Sequence, residues 1–261
     1  MSELNIDLHP AQLQIFNSKK RFKIVAAGRR FGKSYLSAWL LLINAIQSES
    51  KDVFYVGPTF QQAKDIMWAM LKDLGKDLIA QAHENTAVLT LINGRKIYLK
   101  GSDRPDTLRG VGLAYVVLDE YASMKPQVWE QIIRPTLSDV QGGALFIGTP
   151  AGKNHFYELY KDAFDDDDWD AFQFTSTDNP FIPDSEIKAA SKTMSSMSFR
   201  QEFEASFETN SGGIFKEEWF QKAEEPEEGS YVIAVDPAGF ESIEKERNLK
   251  RSRLDETAIA I

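Results

Sequence analysis

Short apolar runs and helix-period segments alternate along most of the chain. Residues 22–26 (Phe-Lys-Ile-Val-Ala), 53–56, 115–118 and 144–147 are brief runs rich in Val, Ile and aromatic residues. Runs of that length and composition predict buried strands. Between the first two, residues 34–47 carry Leu36, Trp39, Leu40, Leu41, Leu42, Ile43 and Ile46, apolar nearly all round, which predicts a helix buried on most faces. Residues 61–74 set Ile66, Met67, Met70 and Leu71 on one side and predict a second helix. Strand, helix, strand, helix implies a parallel sheet with right-handed crossovers. Ahead of it, residues 8–18 predict a short amphipathic helix with Pro10 in its first turn. Residues 88–99 predict a hairpin, with Asn93-Gly94 as its two-residue turn.

Further on, the pattern predicts a helix over 126–137, a strand over 171–175 and helices over 184–194 and 198–207. Phe199, Phe203 and Phe207 recur at i, i+4 and i+8, and predict one packing face on the last of these. Ser211-Gly212-Gly213 and the acidic 224–229 stretch have the composition of a hinge and linker. Residues 231–235 and 257–261 predict two more strands. Two strands cannot bury a core, so the rest of that second domain is expected beyond residue 261. The expected division is a core over 1–178, a small lid or linker subdomain over 179–229, and the opening of another domain over 230–261.

Composition narrows the class. The chain is 43% hydrophobic and 26% charged, ordinary for a globular protein. No apolar run reaches the ~18 residues of a membrane span, and no apolar leader opens the chain. The expectation is a cytoplasmic protein with no membrane partner. The absence of cysteine excludes disulfides and thiolate zinc sites. The net charge of −9 argues against wholesale coating of nucleic acid, though not against a local basic track. Lys245, Arg247, Lys250, Arg251 and Arg253 form one such segment, and Asp165 to Asp168 form a solvated acidic loop.

The candidate chemistry sits where apolar runs end. The first strand leads into Ala27-Gly28-Arg29-Arg30-Phe31-Gly32-Lys33-Ser34, which opens the long helix. Strand, Gly-Lys-Ser loop and helix make a phosphate-binding loop. Gly32 lets the backbone approach phosphate oxygens. Backbone N–H groups and the helix dipole draw the anion. Lys33 brings charge to the β- and γ-phosphates, and the Ser34 hydroxyl suits Mg²⁺. Ala27 stands at the position of the first consensus glycine, with Gly28 beside it. The 115–118 run ends in Asp119-Glu120. At the carboxyl end of a parallel strand such a pair serves a ligand: Asp119 in the Mg²⁺ shell, Glu120 as general base on the attacking water. The 144–147 run ends in Gly148-Thr149-Pro150, where the Thr149 hydroxyl would sense the γ-phosphate or the attacking water. Gln12 offers a donor and an acceptor to an adenine edge.

Taken together and in order, Pro10-Ala-Gln12, the loop 27–34 with its internal arginines, Leu108-Arg109-Gly110, Leu118-Asp119-Glu120, Gly148-Thr149-Pro150 and Val235-Asp236-Pro237-Ala238-Gly239 resemble the large terminase subunit of tailed bacteriophages. The resemblance implies an α/β P-loop NTPase with the additional-strand, catalytic-glutamate core, followed by an RNase H-like nuclease that residues 230–261 only begin. It implies ATP and Mg²⁺ as ligands and hydrolysis of ATP to drive double-stranded viral DNA into the procapsid. The implied partners are the portal protein and the small terminase subunit, with the subunits in a homo-oligomeric ring in the infected host's cytoplasm. By the same resemblance Gln12 contacts adenine and Arg29 or Arg30 contacts nucleotide phosphate. Thr149 belongs to a coupling motif, Arg109 sits where some members carry an arginine finger for the neighbouring subunit, and Asp236 is the first nuclease metal ligand. Two other readings use the same loop and acid pair: a helicase-type translocase, which requires a second core domain with further arginine motifs, and an ATP-dependent switch without turnover, which has no need of a base such as Glu120.

Overall fold

The computed structural model describes residues 6–208, 234–236 and 258–260. The chain divides into two compact units, Met1–Asn210 and Ser211–Ile261. In the first, eight strands form one sheet: β1 (Phe22–Ala27), β2 (Asp52–Gly57), β3 (Ile79–His83), β4 (Val88–Leu91), β5 (Lys96–Gly101), β6 (Leu113–Asp119), β7 (Gly143–Gly148) and β8 (Trp169–Phe174). Their order across the sheet is β3-β4-β5-β2-β6-β7-β1-β8. From β5 to β8 every neighbouring pair is parallel, and β4 and β3 extend that edge antiparallel. The predicted parallel sheet and the Asn93-Gly94 hairpin are therefore both present. The unpredicted β3 is mostly exposed and lacks the apolar run by which buried strands announce themselves.

Helices cover both faces. On one side lie α1 (Pro10–Asn17), α2 (Lys33–Gln47) and α3 (Phe60–Leu74), whose apolar residues join those of β1, β2 and β6 in one core. On the other side, a π-helical segment Val128–Ile133 runs into the short α4 (Arg134–Thr136) and packs with Phe156 of α5 (His155–Asp162) over a second core. Helix α2 is buried along most of its length, as its all-round apolar pattern requires. Helix α5 escaped the sequence reading because it is short and buries Phe156 alone.

The topology places the candidate chemistry. Strand β7 lies between β1 and β6, so the carboxyl ends of these three strands stand side by side. The register sets Ala26 beside Gly148 and Asp119 beside Ile147. Three polar strand ends, separated in sequence by about 90 and 30 residues, thus converge on one edge of the sheet.

Helices α6 (Asp184–Thr193) and α7 (Ser196–Phe203) belong to the first unit. One expectation needs correction here. The three phenylalanines do not share a helix face, because α7 stops at Phe203 and Ala205 turns left-handed at φ 53°. Phe199 stacks on Phe203 at 5.1 Å, whereas Phe207 packs against Phe156, Tyr157 and Tyr160 near α5. In the second unit, β9 (Ala234–Asp236) pairs antiparallel with β10 (Ala258–Ala260). The hinge at 211–213, the acidic 224–229 stretch and the basic 245–253 segment lie outside the described residues.

Candidate active site

The loop between β1 and α2 is held from below and from one side. Phe31 is fully buried, stacked on Phe174 at 5.1 Å and edge-on to His9, whose Nε2 lies 2.9 Å from the Phe31 carbonyl. Phe31 therefore anchors the loop and can meet a ligand only through its backbone. Gly28 has no room for a side chain: a Cβ there would sit 2.5 Å from the Phe203 carbonyl and 2.6 Å from Ser176 Oγ. Gly32 is the N-cap of α2 at φ 95°, in the left-handed region that favours glycine. No side chain caps this helix start, which leaves N–H groups for an anion.

Lys33 folds back over the loop. Its Nζ donates to the carbonyls of Ala27 (2.8 Å) and Gly28 (3.1 Å) and to Thr149 Oγ1 (3.0 Å). Burial pushes its pKa down, opposed by the carboxylates of Glu120 and Asp119. Thr149 in turn points its hydroxyl at the Ala27 carbonyl, 3.4 Å away. Ser34 lies in the first turn of α2 and is partly exposed.

Asp119 is the last residue of β6 and is buried. Its Oδ1 accepts from the Glu120 backbone N–H at 2.9 Å, and its Oδ2 accepts from the Tyr55 hydroxyl. Burial raises the pKa of both carboxyls, and the Asp119 charge raises that of Glu120 further. Glu120 holds φ 53°, left-handed for a residue with a long side chain, and such strain gathers at functional sites.

A cavity of about 470 Å³ opens above these groups, and its lining includes Arg29, Arg30, Lys33, Glu120, Thr149 and Glu202. That volume is in the range of small-ligand sites. Of the expected site residues the structure thus brings Arg29, Arg30, Lys33, Glu120 and Thr149 to this cavity, with the buried Asp119 bonded to the Glu120 backbone and neither Asp119 nor Ser34 in the lining. The others lie elsewhere or are already engaged. Gln12 is buried with both ends of its amide taken: Nε2 donates to the Gly32 carbonyl at 2.9 Å, and Oε1 accepts from the His9 backbone at 3.2 Å. It ties α1 to the loop. Arg109 lines a separate cavity of about 350 Å³ and pairs with Asp106 at 3.6 Å, with about half its side chain exposed. Asp236 lies in β9 of the second unit.

Two residues at the site escaped the sequence reading. Tyr55 sits inside an apolar strand run and reads as core. Glu202, on α7, lies 173 positions from Arg29, yet its carboxylate accepts from Arg29 Nε at 2.5 Å and its carbonyl from the Arg29 backbone N–H at 2.6 Å. No local pattern announces either contact.

Residues Ser34 and Asp119 offer a hydroxyl and a carboxylate, hard oxygen donors of the kind Mg²⁺ takes. Two desolvated acids beside one lysine fit an added cation. Among the described residues no group of three or more His, Cys, Asp or Glu side chains could hold a metal alone. An ion that draws most of its ligands from phosphate and water needs none.

Comparison with known proteins agrees with this geometry. The family model of the terminase large subunit, T4-like-virus type, N-terminal, matches residues 24–222. The terminase large subunit of Escherichia phage T5 is 32% identical over 215 residues, which are 78% of this chain and 49% of that protein. That of Thermus virus P23-45 is 30% identical over 176 residues, 58% of this chain and 36% of that protein. The chain thus spans half or less of the length of these relatives. The large terminase ATPase domain of Thermus phage P74-26 superposes with a TM-score of 0.68 at 26% identity, covering 77% of this chain and 94% of that one. The large terminase of another thermophilic bacteriophage, in complex with ADP, shares the fold, with a TM-score of 0.66 at 19% identity over 77% of this chain and 54% of that one. With the family model spanning most of the chain, and its phosphate loop, acid pair and threonine meeting on one sheet edge, the protein belongs to the terminase large subunit family.

Proposed function

We propose that this chain is the ATP-hydrolysing part of a motor that translocates double-stranded viral DNA into a procapsid. The observation that carries the reading is the convergence of Lys33, Glu120 and Thr149 on one cavity at the carboxyl edge of the sheet. ATP would set its phosphates on the N–H groups that open α2. Lys33 would leave the Ala27 and Gly28 carbonyls for the β- and γ-phosphates. Ser34 and Asp119 would hold Mg²⁺, which when bound neutralises charge on the phosphates. Glu120, raised in pKa and aimed at the same space, would take the proton of the attacking water. Thr149, bonded to Lys33, would register whether that lysine is on phosphate or on the loop.

Arg29 or Arg30, both on the cavity wall, would contact phosphate within its own subunit. Arg109, half exposed and outside the cavity, suits a role in a neighbour's site within a homo-oligomeric ring. Gln12 would recognise adenine only after exchanging its present bonds to Gly32 and His9. We further propose that residues 179–229 act as a lid or linker and that residues 230–261 open an RNase H-like nuclease domain, with Asp236 as a metal ligand. The portal protein and the small terminase subunit are the expected partners in the host cytoplasm. Among the described residues no helix is long and apolar enough to cross a membrane.

The test is ATP turnover by the purified chain, with and without double-stranded DNA. Turnover that vanishes in Glu120→Gln while a fluorescent ATP analogue still binds supports the reading. Turnover that persists in that variant moves the base elsewhere.

A further inference from the structure

Tyr55 is fully buried on the face of the sheet that α2 covers. Its ring lies among apolar side chains, where a phenylalanine would pack equally well. A buried phenol needs a partner for its hydroxyl, and the one it has is the Asp119 carboxylate. The geometry follows from strand pairing. Strands β2 and β6 are parallel neighbours with Tyr55 opposite Val117, so Asp119 lies two residues further toward the carboxyl edge on the same face. Two residues rise about 6.6 Å along a strand. A tyrosine leaning along its strand covers that distance, and its polar tip arrives at the carboxylate.

The contact fixes more than a pairing. Asp119 Oδ2 accepts from Tyr55 and Oδ1 accepts from the Glu120 N–H at 2.9 Å. Each oxygen therefore has one rigid donor, one from the neighbouring strand and one from the backbone. The carboxylate plane is set, and one lone pair on each oxygen stays free. That is how groups outside a metal site orient the ligand inside it.

We propose that Tyr55 is the positioning residue of the metal site: its hydroxyl holds Asp119 in the orientation that receives the Mg²⁺ accompanying the nucleotide. The inference rests on the reading of Asp119 given under the proposed function. Tyr55 touches neither nucleotide nor reacting atoms, so its effect is on metal affinity and runs through Asp119.

The experiment titrates Mg²⁺ into the chain with a fluorescent, non-hydrolysable ATP analogue and reads the Mg²⁺ concentration that half-saturates the metal-dependent tightening. Tyr55→Phe is expected to raise that concentration by about 10–100-fold, the usual cost of losing a partner that orients a metal ligand. Binding in EDTA should stay within about twofold of the parent. A parent chain that shows no Mg²⁺ response defeats the metal reading itself. A parent that responds, with a folded Tyr55→Phe that responds equally, overturns the role of Tyr55 alone. Equal loss in EDTA also overturns it, since a packing defect does not distinguish the metal. If Tyr55→Phe does not fold, Tyr55→Phe/Asp119→Asn carries the test, because removing both partners of a buried bond relieves the unpaired charge. Recovery of folding with the same Mg²⁺ half-saturation as Asp119→Asn alone supports the proposal, since Tyr55 then acts only through Asp119, and a further shift beyond Asp119→Asn overturns it. No recovery shows that the hydroxyl serves something other than Asp119, and overturns it.

Discussion

At the residue scale, Lys33 and Glu120 meet the same cavity but should fail differently. Lys33→Ala removes a charge that the phosphates would use in binding. The nucleotide should bind about 10–100-fold more weakly, the worth of a hydrogen bond to a charged group, as read by fluorescence titration. Glu120→Gln keeps shape and polarity and removes the proposed base, so turnover should fall by about 10²–10⁴-fold with affinity little changed. Its pH dependence has a definite sign. Burial and the Asp119 charge raise the folded-state pKa of Glu120 above its unfolded value. Between those two values the folded chain holds the extra proton, so stability falls as pH rises through the window. Above it the ionised group is a net cost that glutamine does not carry. In the nucleotide-free state at pH 8, Glu120→Gln should melt higher than the parent by about 2–4 °C for each kcal/mol relieved. The gap should close as pH falls below the ordinary glutamate pKa of about 4.3, where the parent becomes protonated in both states. A gap independent of pH would refute this account of the acid pair.

At the element scale, the phosphate loop is bonded to the segment that follows β8 as closely as to its own helix. Ser176 Oγ donates to the Arg29 carbonyl and Asn179 Nδ2 to the Arg30 carbonyl, each at 2.6 Å. Glu202 of α7 holds Arg29 by side chain and by backbone. A phosphate that takes Arg29 must displace a carboxylate whose own charge opposes it. The Arg29 side chain is 66% exposed, so the ion pair is screened and worth only ~0.2–1 kcal/mol. Glu202→Gln should therefore tighten nucleotide binding modestly, by roughly twofold to fivefold at low salt. The gain should shrink as salt is added. Weaker binding in Glu202→Gln would mean that the carboxylate supports Arg29 for phosphate rather than competing with it.

At the scale of the whole molecule, the question is what a single chain lacks. Arg109 is bracketed by Asp106 and the left-handed Gly110, outside the cavity that holds Glu120. If it serves a neighbour in a ring, the isolated chain should hydrolyse ATP slowly, and turnover per subunit should rise on assembly. Arginine fingers contribute ~10³–10⁵ in rate. Mixing separates the possibilities. Arg109→Ala and Glu120→Gln chains should each be inactive, while mixed assemblies contain interfaces with one intact Glu120 site and one intact Arg109. Recovery of turnover on mixing is the expected result. Mixed assemblies that form normally without recovery would leave Arg109 with only its Asp106 pair.

The contiguous parts of the proposed site were legible in the sequence alone. Ala27 to Ser34 is legible because a phosphate loop is a local device, built of consecutive backbone N–H groups at a strand-to-helix turn. Asp119-Glu120 and Thr149 are legible because charged or polar groups at the end of a buried apolar run are costly unless a ligand edge is there. The parallel core followed from the alternation of strand and helix periods. Tertiary structure decided everything that depends on which strands are neighbours. Placing β7 between β1 and β6 brings Lys33 to Thr149, and placing β2 beside β6 turns Tyr55 from a core aromatic into a partner of Asp119. The phenylalanine spacing at 199, 203 and 207 reads as one face, but a single left-handed residue, Ala205, ends that continuity. Gln12 and Glu202 belong to the same class, since their partners Gly32 and Arg29 stand on other elements. A periodic pattern records what each segment buries. Pairing between distant segments is set by the packing of the whole sheet, and no local stretch encodes it.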